Sequence, residues 1–124
     1  MSITDSGKEL LAQAIRGDKT GGFNAFNKMD IGEAGGSTDP SLNTLDASIT
    51  NNTPFALNSV TRSLTNQVEF YARISGASFS GYVIREVGIF DSAGTLMLLR
   101  IPIDPIGPLE SAKNYDIRII IEVE

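Results

Sequence analysis

Two opposite charges, Arg85 and Glu86, stand side by side inside the apolar stretch GYVIREVGIFDSAGTLMLLRIP, residues 81–102. Such a pair has two uses. Each charge can pair with one on a neighbouring strand, as is common in sheets. Alternatively, Arg85 can aim its directional donors at carboxylates or carbonyls of another chain. In an extended strand neighbouring side chains point to opposite faces, so Arg85 joins Val83, Val87 and Ile89, while Glu86 joins Tyr82, Ile84 and Phe90. Neither set makes a plain solvent face. The strand is therefore expected to be covered on both sides, by its own domain on one and by something else on the other. The candidate contact residues are Arg85, Glu86, Tyr82, Ile84 and Phe90.

Other stretches suggest chemistry and lack the parts for it. GASFSG, residues 76–81, resembles the nucleophile elbow G-x-S-x-G, but the second required glycine falls on Ser80, and the chain has no His to activate Ser78. Gly32, Gly35 and Gly36 lack the Gly-Lys-Ser/Thr of a phosphate loop, and Glu33 and Asp39 beside them are negative. Asp30, Glu33 and Asp39 carry oxygen ligands of the kind Ca²⁺ takes, in a spacing that matches no calcium loop. Asn51-Asn52-Thr53 fits the glycosylation spacing, and no signal peptide accompanies it. The absence of Cys and His removes disulfides, thiolate and imidazole ligands, and the usual nucleophile and base pairs. The expectation is a non-enzyme with no cofactor and no metal.

The 124 residues suit one domain, 1–124, able to bury roughly two thirds of its unfolded surface. Ten Lys and Arg against fifteen Asp and Glu give a net charge of -5, with the basic residues scattered, so no nucleic acid is expected as a partner. No apolar run approaches the ~18 residues that span a bilayer, and MSITDSGKELL lacks the layout of a signal peptide, so no membrane is expected and synthesis is placed in the cytoplasm.

The elements that must position these residues are mostly strands. A short amphipathic helix is expected near the start, capped by Thr4 or Ser6, with Leu10, Leu11, Ala14 and Ile15 on one face and Gly17 ending it. Residues 18–54 read as a long Gly-rich loop region that orders on assembly. It hides one strand, FNKMDIGE, with Met29 and Ile31 on one face, and a helical turn at Asp39-Pro40. PFALNSVTR, QVEFYARIS, YVIREVGIF, TLMLLRIPI and NYDIRIIIEVE each have strand length and strand composition. Val68, Phe70, Ala72 and Ile74 form one face against Glu69, Tyr71 and Arg73, and Ile117, Ile119, Ile121 and Val123 repeat the pattern. Asp91-Ser92-Ala93-Gly94 closes the central hairpin. The fold class expected is α+β, mainly an antiparallel β sheet or sandwich with one N-terminal helix.

ITDSGKELLAQAIRGD, the MDIGE strand, LNSVT and above all GYVIREVGIFDSAGTLMLLRIP, in that order, resemble the phage tail-collar fibre domain found at the N-terminus of many tail fibre proteins. The resemblance runs from Ile3 to Val123, with REVGIFD its most specific part. It implies a virion structural domain of the phage tail that anchors a fibre to the collar or baseplate, with other tail proteins as partners and a homo-oligomer, first of all a trimer. In that family a shaft and a receptor-binding tip usually follow. The chain here stops at Glu124, and the expectation is a short adaptor, plug or assembly-site protein. The alternative is a carbohydrate- or host-receptor-binding module, with Tyr71, Phe79 or Tyr82 as a stacking platform.

Overall fold

A computed structural model describes residues 2–3, 25–34, 44–64, 67–95 and 97–122. They form eight strands: β1 (Ser2–Ile3), β2 (Lys28–Gly32), β3 (Phe55–Ala56), β4 (Ser59–Leu64), β5 (Gln67–Ser75), β6 (Ile84–Phe90), β7 (Met97–Ile106) and β8 (Asn114–Glu122). The strands make two sheets, one of five in the order β1-β7-β6-β2-β3 and one of three in the order β4-β5-β8. Every pairing is antiparallel. The N-terminal helix expected before Gly17 and the turn at Asp39-Pro40 lie outside the described residues, as does much of the Gly-rich loop region. Among the described residues no helix is long and apolar enough to cross a membrane.

Period-two alternation explains the three-stranded sheet. In β5, Val68, Phe70, Ala72 and Ile74 are buried, and each stands opposite an apolar or aromatic residue of β8: Ile121, Ile119, Ile117 and Tyr115. Such cross-strand pairs stabilise a sheet while they fill its core face. The five-stranded sheet supplies the opposing layer: Met29 opposite Ile89, Ile31 opposite Val87, and Ile89 opposite Leu99. All of these belong to one hydrophobic cluster that joins both sheets. Burying each large aliphatic or aromatic side chain contributes about 1.5–3 kcal/mol, so this shared layer is the main source of cohesion.

One expected strand divides. PFALNSVTR gives β3 to the five-stranded sheet and β4 to the three-stranded sheet. The chain crosses between layers at Leu57 and Asn58, where the Leu57 N–H donates to Asn27 O (2.8 Å) and the Asn58 N–H to Tyr71 O (2.8 Å). Partners on two different sheets therefore turn one β-rich run into a corner. The central hairpin turns where expected: the Gly94 N–H donates to Asp91 O (2.9 Å) and the Thr95 N–H to Asp91 Oδ1 (2.9 Å).

At one end of the sandwich the β5–β6 connection is stitched to the β7–β8 connection. The Gly76 N–H donates to Lys113 O (2.8 Å), the Gly81 N–H to Leu109 O (2.9 Å) and the Leu109 N–H to Tyr82 O (2.8 Å). The approach is so close that a Cβ on Gly76 would lie 1.9 Å from Glu110 O. GASFSG is thus a packed turn whose first glycine is required by contact, and Ser78 is exposed on it. Leu109 is buried in the core cluster beneath these bonds, which fix the start of β6 and the residues that precede it.

Candidate functional site

The five candidate residues of the 82–90 segment separate into two groups. Ile84, Glu86 and Phe90 are 0%, 1% and 3% exposed, whereas Tyr82 is 42% exposed and Arg85 is also exposed. Three of the five therefore have no surface to offer a neighbour. The face that alternation left for another chain is covered at Glu86 and Phe90 by the chain's own residues 44–47. There Leu45 packs with Phe90 and Met97 in a second small cluster. The Ile49 N–H donates to Ile31 O (3.0 Å) and the Glu33 N–H to Ala47 O (3.0 Å), so this segment continues the edge of β2.

Arg85 escapes the core through a break in register. Ile84 stands opposite Ile106 and Glu86 opposite Pro102, so Ile103, Asp104 and Pro105 of β7 all fall across from Arg85 alone. Bulges of this kind re-aim side chains and interrupt alternation. Ile84 and Val87 both join the main core, which strict alternation forbids, and Arg85 turns to solvent between them. Among the described residues Arg85 has no ion-pair partner. Tyr82 is held nearby by the backbone bond from Leu109, and the Val83 N–H donates to Glu33 Oε2 (3.3 Å). The result is an exposed corner formed by Tyr82, Arg85 and the irregular segment of β7.

Glu86 does something else. Its register partner is Gly32, where a Cβ would lie 2.8 Å from Glu86 Oε1 and 3.0 Å from Ala47 O; only glycine leaves room for the carboxylate. Arg100 comes from β7 on the same face, with Nε 4.0 Å from Glu86 Oε2 and Nη1 3.9 Å from Asp46 Oδ1. Its Nη2 also donates to Thr44 O. Burial pushes the Glu86 carboxyl above its ordinary range, against the pull of Arg100 and of the backbone at Ala47 and Asp46. That pull is incomplete, since neither carboxylate oxygen has a hydrogen bond of normal geometry. The cluster clamps residues 44–47 onto the sheet. Arg100 stands in the second apolar run of the opening stretch, and its role went unread there because it depends on hairpin register.

Two of the three candidate calcium ligands are used within the fold. Asp30 is buried, accepting the Thr50 hydroxyl proton and the Ile31 N–H (2.9 Å). Glu33 accepts from Val83, and Asp39 lies outside the described residues. The three aromatics proposed as a sugar platform differ in position: Phe79 packs against the core, Tyr82 is at the exposed corner, and Tyr71 is on the outer face of the three-stranded sheet. The Tyr71 ring is covered by the Arg118 guanidinium, 4.4 Å from its centroid, and its hydroxyl donates to Asp116 Oδ1 (2.7 Å). On the same face Arg73 pairs with Asp116 (3.4 Å) and Arg118 with Glu69 (3.3 Å).

A search of curated proteins and of solved structures gave no match to this chain. The family model for the N-terminal region of the phage tail-collar fibre protein matches residues 1–100, which include Tyr82 and Arg85 of the corner, the buried Glu86 and Arg100, and the first four residues of β7. The chain belongs to the phage tail-collar fibre protein family, and so to the structural proteins of the phage tail.

Proposed function

We propose that residues 1–124 act as one attachment domain, a short adaptor that joins a fibre or a neighbouring tail protein to the collar or baseplate without catalysing a reaction. The observation that carries this reading is the exposed corner, whose Tyr82 and Arg85 lie within the family's matched segment. A rigid sandwich end holds the corner in place, and Arg85 is turned outward without an ion-pair partner among the described residues. An exposed arginine and an exposed tyrosine three residues apart in the chain are of the types that protein contacts favour, and the guanidinium suits carboxylates or free carbonyls on a partner. Electrostatic contacts at such a rim set register and choice of partner more than affinity, which an assembling particle requires. The chain is made in the host cytoplasm and carried in the tail of the virion.

The test is reconstitution. Tails assembled with Arg85→Ala should bind the chain more weakly than tails assembled with the parent, while the isolated variant folds normally. Equal incorporation of both proteins would exclude Arg85 from the contact. Binding of the isolated chain to host cells or to a glycan array would favour the receptor-binding alternative instead.

A further inference from the structure

We propose that residues 102–108 form a docking ridge for an aromatic-lined groove on a neighbouring tail protein, a groove whose edge carries a carboxylate for Arg85. The proposal rests on the reading of the corner as a contact and names the chemistry of its partner. Prolines stand at 102, 105 and 108, three residues apart, and all three are exposed. Between them Ile103 and Ile106 pack against the main core, and Leu109 is buried in it. Apolar side chains at the same spacing thus hold the run down while the proline rings face out. The register raises it into a ridge. From Glu86 to Ile84 β6 takes two steps, while β7 takes four, from Pro102 to Ile106. Surplus residues cannot lie flat in the ladder, so the backbone arches away from β6 around Asp104 and Pro105, both exposed.

Proline chemistry selects the occupant. Each ring fixes its own φ, so the ridge gives up little freedom when it is bound. Proline has no N–H, so Pro102 and Pro105 offer an incoming strand no donor, and the ridge is met through its rings. Preformed proline-rich segments are taken by grooves lined with aromatic side chains. Arg85 is the β6 residue that faces the arch, and among the described residues it has no ion-pair partner. A carboxylate at the groove's edge supplies one. Tyr82 adjoins the far end of the run: its carbonyl accepts the Leu109 N–H (2.8 Å) and lies 2.8 Å from where a Cβ on Gly107 would sit. The ridge lies beyond residues 1–100, which the family model matches, and so is a place where this chain sets its own choice of partner.

The test titrates tails lacking this chain with the full chain and with its variants Pro102→Ala, Pro105→Ala and Arg85→Ala, each first matched to the parent in thermal denaturation. Pro105→Ala should weaken binding about tenfold, because the ring and its rigidity are both lost, and Arg85→Ala by a similar factor. If Arg85→Ala weakens binding while both proline variants bind as the parent does, the ridge is overturned and the corner stands. If all three bind as the parent does, both readings fall. A photo-cross-link identifies the occupant. Tyr82→p-benzoylphenylalanine keeps an aromatic ring at the exposed corner, and the tail-bound variant is irradiated and the linked peptide sequenced. The expected peptide comes from another tail protein and carries Phe, Tyr or Trp together with Asp or Glu. A linked peptide without an aromatic residue, or one from a second copy of this chain, overturns the proposal.

Discussion

Replacing Arg100 with Met removes the positive charge beside Glu86 while keeping a long apolar side chain in the same space. Arg100 is 2% exposed and Glu86 1%, so solvent does not compensate for the loss. Removing one member of a buried ion pair costs about 3–5 kcal/mol, because the other charge is left in a low-dielectric site. The loss also releases the tether from Arg100 to Thr44 O and its approach to Asp46. Against a total stability of about 5–15 kcal/mol for a domain of this kind, the effect is large. Its pH dependence identifies the cause. The Glu86 carboxyl is raised in the folded chain above its ordinary value of 4.5, mainly by burial. Between 4.5 and that raised value the folded chain holds a proton the unfolded chain has released, so stability falls as pH rises through the window. Arg100→Met takes away the attraction that opposes the shift and extends the window upward. Urea denaturation of parent and variant at neutral pH and at mildly acid pH, just above the ordinary carboxyl value, should therefore show a difference that shrinks on the acid side. Adding Glu86→Gln should recover more than half of it at neutral pH. A variant within about 1 kcal/mol of the parent at neutral pH, or a deficit independent of pH, would refute the reasoning.

Other substitutions probe separate parts of the account. Arg85→Ala should change stability by less than about 0.5 kcal/mol in thermal denaturation, since the side chain is exposed, yet reduce attachment to tails. Gly76→Ala should destabilise by at least about 1–3 kcal/mol in the same assay, because the new Cβ meets the Glu110 carbonyl at 1.9 Å. Phe70→Ala, at a fully buried position in the shared core, should cost about 3–5 kcal/mol in chemical denaturation.

The strands of the three-stranded sheet were legible because their burial follows local alternation, as Phe70 and Ile119 illustrate. β2 was legible through Met29 and Ile31, although its burial does not alternate, since Asp30 between them is buried as well. Features set by distant partners were not. The division of PFALNSVTR depends on Asn27 and Tyr71, neither of which is near Leu57 and Asn58 in the chain. The faces of Arg85 and Glu86 depend on two irregularities in the β6–β7 pairing, where Phe90 meets Met97 and Glu86 meets Pro102. A regular hairpin counted outward from Asp91-Gly94 gives other partners and hides the match between Glu86 and Arg100. Tyr82 and Arg85 kept an exposed position, while Ile84, Glu86 and Phe90 were claimed by the chain's own core and its covering segment.

The central claim is that this tail protein is an adaptor whose corner at Tyr82 and Arg85 contacts a neighbour in the virion. A density map of intact tails, at a resolution sufficient to trace strands, tests it most directly. The account predicts the chain at the collar or baseplate, with Tyr82, Arg85 and residues 103–106 buried against another protein. The chain seated in the tail with that corner open to solvent, or found outside the tail altogether, would contradict it.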